Sequence, residues 1–267
     1  MENSPVSLPI TSVTDLLNID KAEIEPRKQS FVKLNSEPLP DGPKTLVCHD
    51  MKGGYIEDRF DQGCENFDAY NFWFWNNIDV FIYFSHKIVV IPPFVWRVVS
   101  HRNNCPILGT FYVDWVNGMV ILLELLSPTN FELTLKNLVH LCQIYQFDGY
   151  LINIECDVPP DFVCIILKFL NRLKYMLLDI NPSSLVIWYD AIIYNGKVIY
   201  QDELNYLNSC FFDNSSAFFT NYNWTAFNLQ HMCRSVKTRL SDVYVGLDLF
   251  PREKLQGMPP TKFIHYI

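Results

Sequence analysis

Between Lys44 and Leu247 the chain alternates two hydrophobic rhythms. Short runs rich in β-branched and aromatic residues recur, and several are separated by stretches in which apolar residues return every three or four positions. Successive strand side chains point to opposite faces, whereas helix side chains share a face at i, i+3 and i+4. The runs predict strands at Thr45–His49, Asp79–Phe84, Ile107–Asp114, Gly149–Glu155, Leu185–Tyr189, Ala217–Asn221 and Asp242–Leu247. Helical spacing predicts Phe131–Ile144, with Leu133, Leu138, Leu141 and Cys142 on one face, and also Phe162–Leu178, Glu203–Asn208 and Thr225–Arg239. Pro160 and Asp161 supply a helix start. Strands alternating with helices predict an α/β fold with a parallel sheet, of (β/α)8 TIM-barrel type, with about seven of the eight strands present.

Residues 1–43 break this rhythm. They are polar and punctuated by proline, ending in Pro38-Leu39-Pro40-Asp41-Gly42-Pro43, and read as an entry arm before a folded domain over 44–267. At 267 residues and 49% apolar content the chain can bury a large core. Its net charge of −8 argues against nucleic-acid or anionic-membrane partners and favours a neutral or polar substrate. The first 30 residues contain no basic segment followed by an apolar core, so no secretory signal is expected and the cytosol is the expected compartment. The longest apolar run, Met119 to Leu126, is interrupted by Glu124 and is far shorter than the ~20 residues of a membrane helix. The eight cysteines are scattered, with no Cys-x-x-Cys and no zinc-like histidine spacing, so free thiols and no metal are expected. No Gly-rich phosphate loop is evident, and no cofactor is expected.

The stretch Phe147-Asp148-Gly149-Tyr150-Leu151-Ile152-Asn153-Ile154-Glu155 reads as a buried strand that delivers two polar residues at its end. Asn153 and Glu155, at i and i+2, share one face with Leu151, while Ile152 and Ile154 pack behind. A carboxylic acid beside an amide suits hydrolysis of a 2-acetamido sugar, with one group protonating the leaving oxygen and the other holding the acetamide. An ordinary strand ending in polar residues at the start of a loop gives the same pattern. Cys156, next in sequence, faces away from Glu155 and has no histidine nearby in sequence. Other strands end in His49-Asp50, Asp114-Trp115, Trp188-Tyr189-Asp190, Asn221-Tyr222-Asn223-Trp224 and Asp248. In a barrel such ends gather at one mouth, where aromatic rings cover sugar faces and Asn or Asp bind hydroxyls.

In these landmarks the sequence resembles the cytosolic endo-β-N-acetylglucosaminidases, family 85 of the glycoside hydrolases. The resemblance runs from about Thr45 to Phe250. It rests on Leu46–Tyr55, Asp79–His86, Val90–Pro93, Leu108–Phe111, Phe147–Glu155, Trp188–Asp190, Gln201–Asn205, Phe218–Trp224 and Asp242–Gly246. The resemblance implies cleavage between the two N-acetylglucosamines of the N-glycan core, with N-glycans or glycopeptides as partners and no cofactor. It implies a retaining reaction in which the substrate's acetamide replaces an enzyme nucleophile, an exception to the usual carboxylate pair. Glu155 would be acid and then base, Asn153 would orient the acetamide, and Tyr189 would be its second contact. Trp224 would stack on the acceptor sugar, with Asn223 beside it. Tyr200 stands where the family places a second tryptophan, Trp115 would line the mannose side, and Asp190 would hold loops or a sugar hydroxyl.

The sequence departs from the family in two places. Phe94-Val95-Trp96 and His101-Arg102-Asn103-Asn104 replace a small-residue and histidine pattern, and Ile267 follows soon after the seventh strand. A barrel short of its eighth strand would expose two edges. The alternative reading is therefore a catalytically inactive truncated relative that only binds glycans, or a fragment. A chitinase-like enzyme fits less well, because its carboxylate cluster before the acid is replaced here by Asp148 and Asn153.

Overall fold

The computed structural model describes residues 8–19, 42–50, 53–60, 63–69, 71–115, 117–236 and 238–249. Strands β1 (Leu46–His49), β2 (Val80–Tyr83), β4 (Ile107–Asp114), β5 (Gly149–Glu155), β6 (Leu185–Tyr189), β7 (Ala217–Phe219) and β8 (Val243–Tyr244) pair in that order, all parallel. The two-residue β3 (Val89–Val90) pairs antiparallel with β4. Leu108 and Tyr112 of β4, Leu151 of β5, Ile187 of β6 and Tyr244 of β8 share one buried cluster, against which Leu46 and Cys48 of β1 pack. Strands from both ends of the order thus meet in one interior, which requires the sheet to curl into a barrel. Lys44 Nζ lies 4.0 Å from Asp242 Oδ1 and links the segments leading into β1 and β8. The expected barrel architecture is present as a nearly closed parallel sheet.

The long helices follow their sequence signals. Helix α5 (Pro160–Ile180) begins with Pro160 at its first position and buries Phe162, Val163, Ile166, Phe169, Leu170, Leu173 and Leu177 at helical spacing. Helix α4 (Phe131–Tyr145) buries Leu138, Leu141 and Cys142 as expected, but Leu133 is exposed and Leu135 takes the inward position. Within the segment expected to be an arm, α1 (Val13–Leu17) docks on α4: Ser12 caps it, and Asn137 Nδ2 donates to Leu16 O at 2.7 Å. Residues 1–7 and 20–41 of that segment lie outside the described residues.

Several elements depart from the sequence reading. Helix α2 (Phe94–Arg102), in the stretch that departs from the family pattern, buries Trp96, Arg97, Ser100 and His101, a face too polar to read as amphipathic. Arg97 and His101 each reach a partner outside the helix: Arg97 Nε donates to Pro92 O (2.9 Å), and His101 Nε2 lies 2.7 Å from Asp148 Oδ2. Helix α3 (Gly118–Leu125) is apolar almost all round and carries no clear period. The expected helix Glu203–Asn208 is a series of turns, with helix α6 (Ser209–Asp213) after it. Asn208 explains this, because its side chain accepts from Asn205 N (2.8 Å) and donates to Glu203 O (2.8 Å), closing a turn instead of a helix. Helix α7 (Ala226–Ser235) stops before Arg239, which is left-handed at φ 63°. Strands β7 and β8 are also shorter than expected, since Thr220 Oγ1 donates to Asn221 O and accepts from Gly246 N, using side-chain bonds in place of a ladder.

Candidate active site

Asn153 and Glu155 close β5, and their register partners on β4 are Tyr112 and Asp114. Ile152 pairs with Trp188, so Tyr189 ends β6 beside this pair. All five side chains belong to the inward parity of their strands, the parity of Leu151, Leu108 and Ile187. The C-terminal ends of β4, β5 and β6 thus bring two carboxylates, an amide and two phenols to one mouth. This is the end of a parallel barrel where loops assemble active sites.

Glu155 is half-buried. Burial raises its carboxyl above the ordinary range, and the nearby Asp114 charge adds to the rise; hydrogen bonds from the Asn153 amide and the Tyr200 hydroxyl, with His86 nearby, moderate it. A raised pKa keeps the acid protonated closer to neutrality, as a proton donor requires. Asn153 is 4% exposed, and its Oδ1 has no hydrogen-bond partner among the described residues. A buried carbonyl oxygen left unpaired is costly. Beside a protonatable acid it forms an acceptor site for a ligand N–H.

Tyr189 donates its hydroxyl to Asn221 Oδ1 at 3.0 Å, and its ring meets Phe219 edge-on at 5.7 Å. Burial, first, and the Glu155 charge push its phenol above the usual range, so it stays neutral. Tyr200 is also half-buried, and its hydroxyl reaches Glu155. To the stacking ring expected of Tyr200 the structure adds this polar contact with the acid. Trp224, partly exposed, is fixed by Nε1 donating to Gly246 O at 2.6 Å. A Cβ at Gly246 would stand 2.4 Å from Thr220 O, so only glycine permits this approach of β8 to the β7 end. Trp115, just past β4, is 61% exposed. Asn223 is exposed and enters the network through its backbone N–H, which donates to Asp202 Oδ1 at 3.0 Å.

Asp190, expected to hold loops or a sugar hydroxyl, holds a loop. It is 0% exposed, and its carboxylate accepts from Gln201 N (3.0 Å), Asp202 N (2.8 Å) and Asn208 Nδ2 (3.0 Å). Burial raises its pKa to about 7 against the pull of those three donors. Its place is beneath the 200–208 loop, which it ties to β6. Tyr112, His86 and Asp202 join the site without having been singled out from sequence, and Asp114 and Asn221, expected at the mouth only as strand ends, join it as well. Tyr112 and Asp114 are open to the same period-two argument that singles out Asn153 and Glu155. His86, which meets the Tyr112 ring edge-on at 5.0 Å, comes from a loop and carries no such signal. Among the described residues no group of His, Cys, Asp and Glu is arranged to hold a metal, and no helix is long and apolar enough to cross a membrane.

The chain is 44% identical over 217 residues to the cytosolic endo-beta-N-acetylglucosaminidase of Mus musculus, covering 80% of this chain and 30% of that protein. It is 38% identical over 263 residues to the Homo sapiens protein of the same name, covering 95% of this chain and 35% of that one. The chain thus spans about a third of the length of these relatives. Among solved structures, the glycoside hydrolase domain of Endo-D from Streptococcus pneumoniae R6 superposes with a TM-score of 0.73 at 23% identity, covering 92% of this chain and 42% of that one, and so shares its fold. The model of glycosyl hydrolase family 85 matches residues 54–263, and the chain belongs to that family.

Proposed function

We propose that the chain carries the active site of an endo-β-N-acetylglucosaminidase that cleaves the chitobiose core of N-glycans by a retaining, substrate-assisted reaction in the cytosol. The observation that carries the reading is the unpaired, buried Oδ1 of Asn153 beside a carboxyl held toward its protonated form. In the first step the acetamide oxygen of the donor sugar bonds to its anomeric carbon, the glycosidic bond breaks, and the Glu155 proton passes to the leaving oxygen. Positive charge grows on the acetamide nitrogen as the oxazoline ring closes, and Asn153 Oδ1 accepts its N–H and stabilises that charge. In the second step water bonds to the anomeric carbon, Glu155 takes its proton, and the ring reopens to the acetamide. Two displacements leave the configuration unchanged.

The protein needs no nucleophile of its own for this sequence. Cys156, the adjacent nucleophilic side chain, is buried, and burial pushes its thiol up to about 11, so it is not a ready thiolate. The cytosolic assignment rests on the names of the relatives. The test is to incubate the purified chain with a high-mannose glycopeptide and follow the products by mass spectrometry. A peptide retaining one N-acetylglucosamine is expected from the native chain and not from Glu155→Gln, which should still bind substrate. Asn153→Ala should lose the natural substrate yet use a preformed oxazoline. Undiminished hydrolysis by Glu155→Gln would overturn the reading.

A further inference from the structure

Two side chains outside the reacting groups control the Tyr189 hydroxyl. Asn221, 5% exposed at the end of β7, accepts the Tyr189 hydroxyl proton on Oδ1 and donates from Nδ2 to Asp202 Oδ1 at 2.9 Å. An ionised carboxylate only accepts hydrogen bonds. Asp202 therefore forces the NH2 of Asn221 toward itself and the amide oxygen toward Tyr189. The amide oxygen, in turn, only accepts, so the Tyr189 proton must point to Asn221 and its lone pairs are left for the mouth of the barrel.

Asp202 is held in place for this task. Its backbone is left-handed at φ 57°, a conformation unfavourable for a residue other than glycine. The buried Asp190 carboxylate anchors it there by accepting Asp202 N at 2.8 Å and Gln201 N at 3.0 Å. Asp202 Oδ1 also accepts Asn223 N at 3.0 Å, so one carboxylate oxygen gathers the end of β7 against the 200–208 loop.

We propose that Asp202 and Asn221 are positioning residues that turn the Tyr189 hydroxyl oxygen, and not its proton, toward the substrate's acetamide. The polarity suits the proposed reaction, on which this inference rests. A phenol proton donated to the acetamide oxygen would draw electron density from the atom that must attack the anomeric carbon. The hydroxyl oxygen on that side instead adds negative potential where the oxazolinium charge grows.

The test is a double-mutant cycle on the full 267-residue chain, with kcat and KM measured on the glycopeptide for Asp202→Gly, Tyr189→Phe and the pair. Glycine accepts the left-handed backbone without strain, so this variant removes the carboxylate alone. Asn221→Ala is the second variant should Asp202→Gly not fold. Asp202→Gly is expected to lower kcat about tenfold, the rate equivalent of one hydrogen bond, with KM changed far less. In the Tyr189→Phe background the same substitution should have no further effect on kcat. Full kcat in Asp202→Gly, or losses that multiply in the pair, would overturn the inference while leaving the role of Tyr189 intact. Full kcat in Tyr189→Phe would instead overturn that role, and the inference with it. The cycle is also read on thermal unfolding, independently of turnover: coupled shifts in Tm support the link, and additive shifts overturn it.

Discussion

Asp114 and Glu155 are register partners at the ends of β4 and β5, two carboxylates on adjacent strands that face the same interior. Burial raises the Glu155 carboxyl, and Asp114 adds its charge to the rise. Asp114 also accepts the Tyr112 hydroxyl at 3.4 Å. The pair thus divides into a proton-holding acid and a neighbour whose charge acts on it.

That division predicts a pH effect. The first step needs protonated Glu155, so activity falls as pH rises through its pKa. Asp114→Asn removes a like charge and lowers that pKa. The alkaline limb of kcat/KM against pH should move to lower pH, with little change well below the limb. An unmoved limb would show that Asp114 does not tune the acid.

Tyr200→Phe should move the same limb the other way. The Tyr200 hydroxyl stabilises the charged form of Glu155, and removing it raises the acid further. The aromatic ring remains, so KM for the glycopeptide should hold. Opposite shifts in the Asp114 and Tyr200 variants would place both groups on Glu155; shifts in one direction would refute the assignment for one of them.

Beneath the site, Asp190 links stability to pH. Its pKa rises from an ordinary 3.8 to about 7 in the fold. Between those values the native state binds the proton more readily than the unfolded chain, so this group's contribution to stability falls as pH rises through the window. Asp190→Ala leaves the donors of Gln201, Asp202 and Asn208 without their acceptor and should destabilise by roughly 3 kcal/mol. It should also flatten the pH dependence of stability across the window between those two pKa values. Urea unfolding at several pH values checks both, and an unchanged slope would remove Asp190 as its source.

The parts of this fold legible in the sequence are those whose packing is apolar. Strand β5 and helix α5 bury unbroken hydrophobic faces and lie within two residues of their predicted limits. Helix α2 is not legible, because Arg97, Ser100 and His101 fill its buried face and only their partners outside the helix make it viable. In the site, period two along β5 and the neighbouring end of β6 suffices to group Asn153, Glu155 and Tyr189. The Tyr200 hydroxyl on Glu155 and the Asp202–Asn221 link depend on how the 200–208 loop folds back over β6 and β7. That closure is set by the buried Asp190 carboxylate, and nothing local in the sequence distinguishes it from a sugar-binding aspartate.

The strand carrying the acid depends on one glycine. Gly149 opens β5 at φ 129°, and a Cβ there would lie 1.9 Å from Leu185 O, on the strand that pairs with it. Backbone cannot yield as a side-chain tip can, so Gly149→Ala must separate the starts of β5 and β6 or rotate the peptide. Either movement travels along a seven-residue strand whose far end holds Asn153 and Glu155. The expected cost is about 3 kcal/mol or more, with activity falling further than the loss of folded protein explains, since an ångström of displacement at the acid is enough to slow catalysis. Circular dichroism melting and activity per folded molecule measure the two effects separately. Near-native stability in this variant would mean that the β5–β6 register does not need glycine, and normal activity in its folded fraction would mean that the strand start does not govern the position of Glu155.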